Sequence, residues 1–202
     1  DRKRHSEEAV QAILDGLEWL GLEYDGEVTS QFARQDRHRQ VAEEMLAKGQ
    51  AYYCYCPPEE LDEMRAAAKE SGAKTFYDRR WREKSPEDAP EGVEPVVRIK
   101  APLDGVTTIQ DHVQGEVSVP NDQLDDFIIF RSDGSPTYNF TAVIDDHAMS
   151  ITHVIRGEDH LSNTPKQIIL YKALGFEIPI FAHLPMILGS DKKRLSKRHG
   201  AP

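Results

Sequence analysis

The stretch that most constrains this chain's fold lies in its C-terminal third. Tyr138 to Ile144 is a near-continuous apolar run closed by Asp145-Asp146, and Ile151-Thr152-His153-Val154-Ile155 is a second. Runs without a polar face suit strands covered on both sides, as in a parallel sheet. Parallel strands need a crossover, and the sequence offers one. Thr164-Pro165-Lys166-Gln167 has the form of a capping box with proline at the first helical position. The helix it opens runs through Ile168, Ile169 and Leu174 to Gly175, and Phe181-Ala182-His183-Leu184 reads as a last short strand. This strand–helix–strand order predicts an α/β sheet.

Upstream the texture differs. Ser6 can cap a helix with Glu7 and Glu8 in its first turn and Val10, Ile13, Leu14, Leu17 and Leu20 at helical spacing, stopped by Gly21. A second helix is expected from Asp36 to Lys48, with Val41, Met45 and Leu46 inward. Arg34, Arg37 and Arg39 near its start read as a solvated face rather than an RNA contact. Ala51 to Tyr55 reads as a strand, and Pro57-Pro58 opens a helix ending at Gly72. Residues 78–95 read as loop. Short strands are expected at 96–100, 107–110, 116–119 and 125–131, followed by the turn Ser132-Asp133-Gly134-Ser135-Pro136. An α/β sheet interrupted by a mixed insertion explains this order better than three independent domains.

Bulk charge argues against a sequence-blind nucleic-acid binder, since the 202 residues carry a net charge of -10. The charge is uneven: residues 137–202 hold 8 Lys+Arg against 6 Asp+Glu, and residues 1–136 hold 17 against 29. No apolar run approaches a membrane span and no signal-peptide pattern opens the chain, which favours the cytoplasm. The start at Asp1, which leads straight into a helix, is expected to be a cut end.

Two clusters can carry chemistry. Ile155-Arg156-Gly157-Glu158-Asp159-His160 directly follows an expected strand, and ligands of parallel sheets bind beyond the strands' carboxyl ends. Arg156 there can pair with a carboxylate in a bidentate way, while Glu158 and Asp159 can hold an ammonium group or a ribose. The other cluster runs from Gly189 to Gly200 with Lys192, Lys193, Arg194, Ser196, Lys197 and Arg198. Alone it reads as a basic tail, but glycine-flanked cations can also stabilise phosphate charge. Asp145-Asp146-His147 has the look of a metal cluster, yet neighbours on a strand end face opposite ways, so a turn with solvated acids is expected. Cys54 and Cys56 supply at most two zinc ligands where a closed site takes four, so they read as reduced thiols on one strand face.

Together the motifs resemble the glutamyl-tRNA synthetases, a class I aminoacyl-tRNA synthetase family. Arg194-Leu195-Ser196-Lys197-Arg198 resembles the KMSKS signature in its K-L-S-K-R form. Ser135-Pro136-Thr137-Tyr138-Asn139-Phe140, His153 through His160 and Asn163-Thr164-Pro165 are similar to the family's active-site segments, and Asp1 to the last acid of its E-D-T-D motif. The likeness covers essentially the whole chain and is bacterial in type.

The resemblance implies a Rossmann-like catalytic domain, incomplete here because the HIGH signature and first strand are expected upstream of Asp1. On that reading residues 1–51 belong to the catalytic domain, 52–136 form the connective insert that grips the tRNA acceptor arm, and 137–202 return to the catalytic domain with the KMSKS-type loop. It implies ATP-dependent attachment of glutamate to tRNA(Glu) through glutamyl-adenylate, with ATP as its Mg2+ complex and the protein a monomer. By matching positions, Tyr138, Arg156, Asp159 and His160 would bind glutamate, Arg156 near its side-chain carboxylate. Met186, Ile187 and Leu188 would line the adenine, and Lys197, supported by Ser196 and Arg194, would meet the ATP phosphates. Trp81 and Glu83 stand where zinc-bearing relatives place Cys and His, so zinc is not expected.

Two rivals follow. One is the relative that glutamylates a modified base, glutamyl-queuosine tRNA synthetase, against which the Lys-Arg-His-Gly-Ala run argues. The other is a non-catalytic tRNA-binding module. The resemblance predicts that Lys197→Ala, in the intact protein carrying this sequence, lowers the rate of glutamate activation far more than glutamate affinity. Equal effects on both, in single-turnover assays with tRNA present, would rule out the phosphate role.

Overall fold

A computed structural model describes residues 5–196, and the chain divides into two units, residues 1–30 and 31–202. The first unit is built on helix α1 (Glu7–Trp19), where the Ser6 hydroxyl accepts from the Ala9 amide at 3.1 Å and Glu7 and Glu8 face the positive helix end. None of the α1 residues is buried.

The second unit carries two sheets. Strands β1 (Ala51–Cys54), β2 (Val96–Ile99) and β5 (Ile128–Phe130) form an antiparallel sheet in the order β1-β2-β5. The other sheet has the order β4-β3-β7-β6, from β3 (Val106–Asp111), β4 (Gly115–Pro120), β6 (His153–Gly157) and β7 (Ile180–Leu184). β3 and β4 form an antiparallel hairpin, whereas β7 runs parallel to both β3 and β6. Helices α2 (Gln35–Ala47), α3 (Pro58–Ser71), α4 (Tyr138–Ala148) and α5 (Thr164–Leu174) complete the unit. The α/β class with parallel elements is the expected one.

The β3–β4 hairpin comes from the segment read as the insert, yet it extends the sheet of the C-terminal segment through the Asp111–Phe181 pairing. One core joins Val41, Ile99, Ile109, Ile129, Phe140, Leu170 and Phe181, drawn from all three expected segments. A second, smaller cluster packs Tyr52, Cys54, Met64, Tyr77 and Trp81. Beside it the buried Asp126 carboxylate gathers the Tyr52 hydroxyl (2.8 Å), Arg82 (2.8 Å) and the Ala101 amide (3.0 Å). These bonds tie the loop 78–95 to the antiparallel sheet.

Three local readings are corrected. The run from Tyr138 is helix α4, not a strand. Phe140, Val143 and Ile144 follow helical spacing, and the residues between them, Thr141 and Ala142, are buried too, so no polar face marks the period. The second run does form β6, but only one of its faces is covered: Val154 packs on the core, while Ile155 is 65% exposed. The Thr164 capping box does not form: Thr164 is the first residue of α5, after Asn163, which makes no side-chain cap bond.

Making α4 a helix also changes the fate of Asp145. Its carboxylate is buried in the last turn, where it accepts from Arg34 Nε at 2.7 Å and lies 2.8 Å from His38 Nε2. It is thus a tie between α2 and α4 rather than a solvated acid, and Arg34 is spent on it. Arg37 stays on an exposed face, bonded to Gln40 at 3.0 Å.

Phe140 is fully buried where α4 meets the core, its ring edge-on to Phe130. Phe140→Ala should lower unfolding free energy by about 3–5 kcal/mol, read from the urea midpoint. A loss under about 1 kcal/mol would contradict the buried-helix assignment.

Candidate active site

β3, β7 and β6 run parallel, so their carboxyl ends share one edge of the sheet. At that edge three side chains on the covered face form a row: Asp111 from β3, His183 from β7 and Arg156 from β6. Arg156 and His183 are direct register partners, which places their side chains on the same face.

Asp111 anchors the row. One oxygen accepts from the amides of Gln114 (2.8 Å), Val113 (3.0 Å) and His183 (3.1 Å); the other lies 2.5 Å from His183 Nδ1. Burial opposes its charge, but the Gln114 amide, the His183 ring and the other two amides together outweigh it and hold the carboxyl well below the usual range. An ionised carboxylate only accepts, so the His183 nitrogen facing it carries the proton.

Arg156 meets three neutral acceptors. Nε lies 3.1 Å from His183 Nε2, while Nη2 donates to Thr164 Oγ1 (2.8 Å) and Gln167 Oε1 (2.9 Å). Gln167 is in turn held by its amide, which donates to Asn139 Oδ1 at 3.0 Å. Arg156 makes no ion pair with any carboxylate among the described residues, and its Nη1 has no hydrogen-bond partner there. A half-buried guanidinium thus presents one nitrogen at the sheet edge, with no carboxylate in contact with it among the described residues. Thr164 and Gln167, read as the ends of a capping box, are the residues that hold it. Asp146 is the acid that feels this charge: burial pushes its carboxyl up, with Arg156 working against that and Asp145 with it.

The other expected site residues gather around this edge to different degrees. Tyr138 opens α4, 46% exposed, with its ring 5.9 Å from that of His160. His160 lies in the 3-10 turn Glu158–Asn163 that follows β6. A Cβ at Gly157 would overlap Asp159 Oδ1, so glycine there lets the Asp159 side chain fold back over the strand end. Asp159 Oδ2 pairs with Arg194 Nη1 at 2.7 Å, which joins the basic loop to this turn. The loop is a hairpin, closed by Leu195 N to Ile187 O (2.9 Å) and Gly189 N to Lys193 O (2.8 Å), with Lys192 in the left-handed region at its tip. Met186 N reaches Glu158 Oε1 at 3.4 Å, and Ile187 and Leu188 are exposed beside it. Ser196 is the last described residue; Lys197 lies outside the described residues.

Cys54 and Cys56 have non-metal partners. Cys54 Sγ lies 3.3 Å from the Tyr77 hydroxyl and Cys56 Sγ 3.4 Å from Glu60 Oε2. Burial and the bond to Glu60 push the Cys56 thiol up to about 12, which keeps it protonated. Asp111, His183 and Gln167 are the site residues sequence reasoning missed, and Asn139 was seen only as a member of the Ser135–Phe140 motif. The alternation Phe181–His183 puts the histidine on the strand's apolar face, and that was its one available signal.

The sequence matches the family model for tRNA synthetases class I (E and Q), catalytic domain, over residues 1–202. The chain belongs to this family. As a class I synthetase catalytic domain, it is 60% identical over 201 residues to glutamate–tRNA ligase 2 of Chelativorans sp. (strain BNC1) and 58% identical to glutamate–tRNA ligase 2 of Brucella ovis. Each match takes in 100% of this chain and 42% of the relative's length, so the chain spans less than half of these ligases. Among solved structures, the glutamate–tRNA ligase of Elizabethkingia meningosepticum in complex with its amino acid matches with a TM-score of 0.81 at 36% identity, over 98% of this chain and 43% of that one. The Elizabethkingia anophelis enzyme matches with a TM-score of 0.79.

Proposed function

We propose that this synthetase domain activates glutamate with ATP and serves its transfer to tRNA(Glu). The observation that carries the reading is Arg156. Three of its N–H groups are fixed by neutral acceptors, and no protein carboxylate lies within ion-pair distance of it among the described residues. A half-buried charge so held favours an anionic ligand, and a side-chain carboxylate on Nη1 completes it. The similar ligases from Chelativorans, Brucella and Elizabethkingia are named for glutamate, and one is described in complex with its amino acid.

In the reaction the glutamate α-carboxylate attacks the α-phosphorus of ATP, pyrophosphate leaves, and a tRNA terminal ribose hydroxyl then displaces AMP from the acyl adenylate. ATP, brought as its Mg2+ complex, supplies the phosphoryl chemistry. The chain's own part is positioning and charge. Arg156 anchors the far end of glutamate, with Tyr138 and His160 as walls. Met186, Ile187 and Leu188 offer an apolar edge for adenine, and on the motif reading Arg194, Ser196 and Lys197 serve the phosphates. The Arg194–Asp159 pair ties that loop to the turn that follows β6, which supports reading the two as parts of one site. Attachment of an amino acid to tRNA places this work in the cytoplasm.

In the intact protein, with tRNA present, Arg156→Ala should cut kcat/KM for glutamate by about 30- to 1,000-fold while leaving KM for ATP within about threefold. Arg156→Lys should not restore it, because an ammonium lacks the planar fork that His183, Thr164 and Gln167 hold. Parallel losses for glutamate and ATP would overturn the assignment.

A further inference from the structure

We infer that Asp111 and His183 are positioning residues that set the direction of Arg156, through the tautomer of His183. The inference rests on the reading of Arg156 as the receptor for glutamate's side-chain carboxylate. It concerns two residues that touch no substrate on that reading.

The row crosses three adjacent strands, Asp111 on β3, His183 on β7 and Arg156 on β6. Both Asp111 and His183 have fully buried side chains. The imidazole has one proton to place when neutral. The Asp111 carboxylate accepts and cannot donate, so the proton sits on Nδ1. Nε2 is left with its lone pair, and Arg156 Nε, which can only donate, lies 3.1 Å away. With that lone pair taken, the Thr164 hydroxyl, also 3.1 Å from Nε2, donates instead to the His160 carbonyl at 3.3 Å and accepts from Arg156 Nη2.

A guanidinium is planar, so fixing Nε and Nη2 fixes where Nη1 points. The Asp111 turn is itself rigid, since the carboxylate takes three backbone amides besides the imidazole. Orientation is therefore handed from a backbone turn to a ring, and from the ring to the guanidinium. Histidine with the opposite tautomer would aim an N–H at the Nε–H of Arg156 and turn the arginine away.

The arrangement makes an unusual prediction for Asp111→Asn. The asparagine oxygen can keep the three amides, so the turn survives. Its NH2 then faces His183 Nδ1 and moves the ring proton to Nε2, against Arg156. In the intact protein, KM for glutamate should rise at least about tenfold, with kcat and KM for ATP within about threefold. In the double variant Asp111→Asn with His183→Gln, the glutamine carbonyl accepts from Arg156 whatever residue 111 presents, so glutamate KM should fall back to within about threefold of wild type. A 15N NMR spectrum of the ring reports the tautomer directly: proton on Nδ1 in wild type, on Nε2 in Asp111→Asn.

A glutamate KM within about twofold of wild type in Asp111→Asn would overturn the inference. So would equal rises for glutamate and ATP, or a double variant no better than the single one. If Asp111→Asn does not fold, His183→Gln and His183→Ala in the Asp111 background decide instead. The inference predicts near-normal glutamate KM for Gln and a rise of at least about tenfold for Ala, and equal values would overturn it. Arg156→Ala run alongside separates the two levels. Unchanged glutamate kinetics there would sink the parent reading, whereas a loss there with a silent Asp111→Asn sinks only the positioning role.

Discussion

A positive charge with no ion-pair partner among the described residues is the constraint on which this structure turns. Removing a guanidinium from water is costly unless its hydrogens are satisfied, and an ion pair is the usual means. Arg156 has no such pair among the described residues: His183, Thr164 and Gln167 accept three of its hydrogens, and Asp146 acts on its charge only from beyond contact distance. That combination suits a receptor better than a stabilising element. Elsewhere in the domain buried charge is handled in the ordinary way, as at Asp126, where Arg82 at 2.8 Å and Arg79 at 3.4 Å flank the carboxylate. The contrast between Asp126 and Arg156 separates a structural cluster from a binding one more sharply than burial does.

The fold serves this one residue from several directions. The parallel pairing of β6 with β7 brings His183 alongside Arg156, and the β3–β4 hairpin, arriving from the opposite chain segment, brings Asp111. α5 begins where Thr164 and Gln167 can reach the guanidinium, and α4 begins with Tyr138 and Asn139. Five elements, β3, α4, β6, α5 and β7, therefore converge on the carboxyl ends of the parallel strands, where ligands of such sheets bind. The basic hairpin joins through the Arg194–Asp159 pair, one residue beyond Glu158, whose carboxylate meets Gln114 at 3.2 Å.

Much of this was legible in the residues. The strand–helix–strand order after residue 150, the polar cluster at Arg156 and the basic loop all stand in the sequence as local signals. What stayed hidden had physical reasons. Tyr138–Ile144 is apolar but for Asn139 and Thr141, whose spacing of two suits a strand, so its period does not single out a buried helix; only packing around Phe140 decides it. Thr164 and Gln167 carry a helix-capping pattern, and nothing local reveals that an arginine eight residues upstream of one and eleven of the other takes both side chains instead. Asp111 and His183 are 72 residues apart and look like an ordinary turn acid and a strand histidine until the sheet pairs them. Asp145 was hidden for the same reason, since its partner His38 lies 107 residues away.

The most direct test of the account is a crystal structure of the intact protein with glutamate bound. The side-chain carboxylate should lie within hydrogen-bond distance, about 2.7–2.9 Å, of Arg156 Nη1, with Nε still on His183 and His183 still on Asp111. Glutamate bound with its side-chain carboxylate on another cation, or Arg156 swung away from His183 to meet it, would contradict the account.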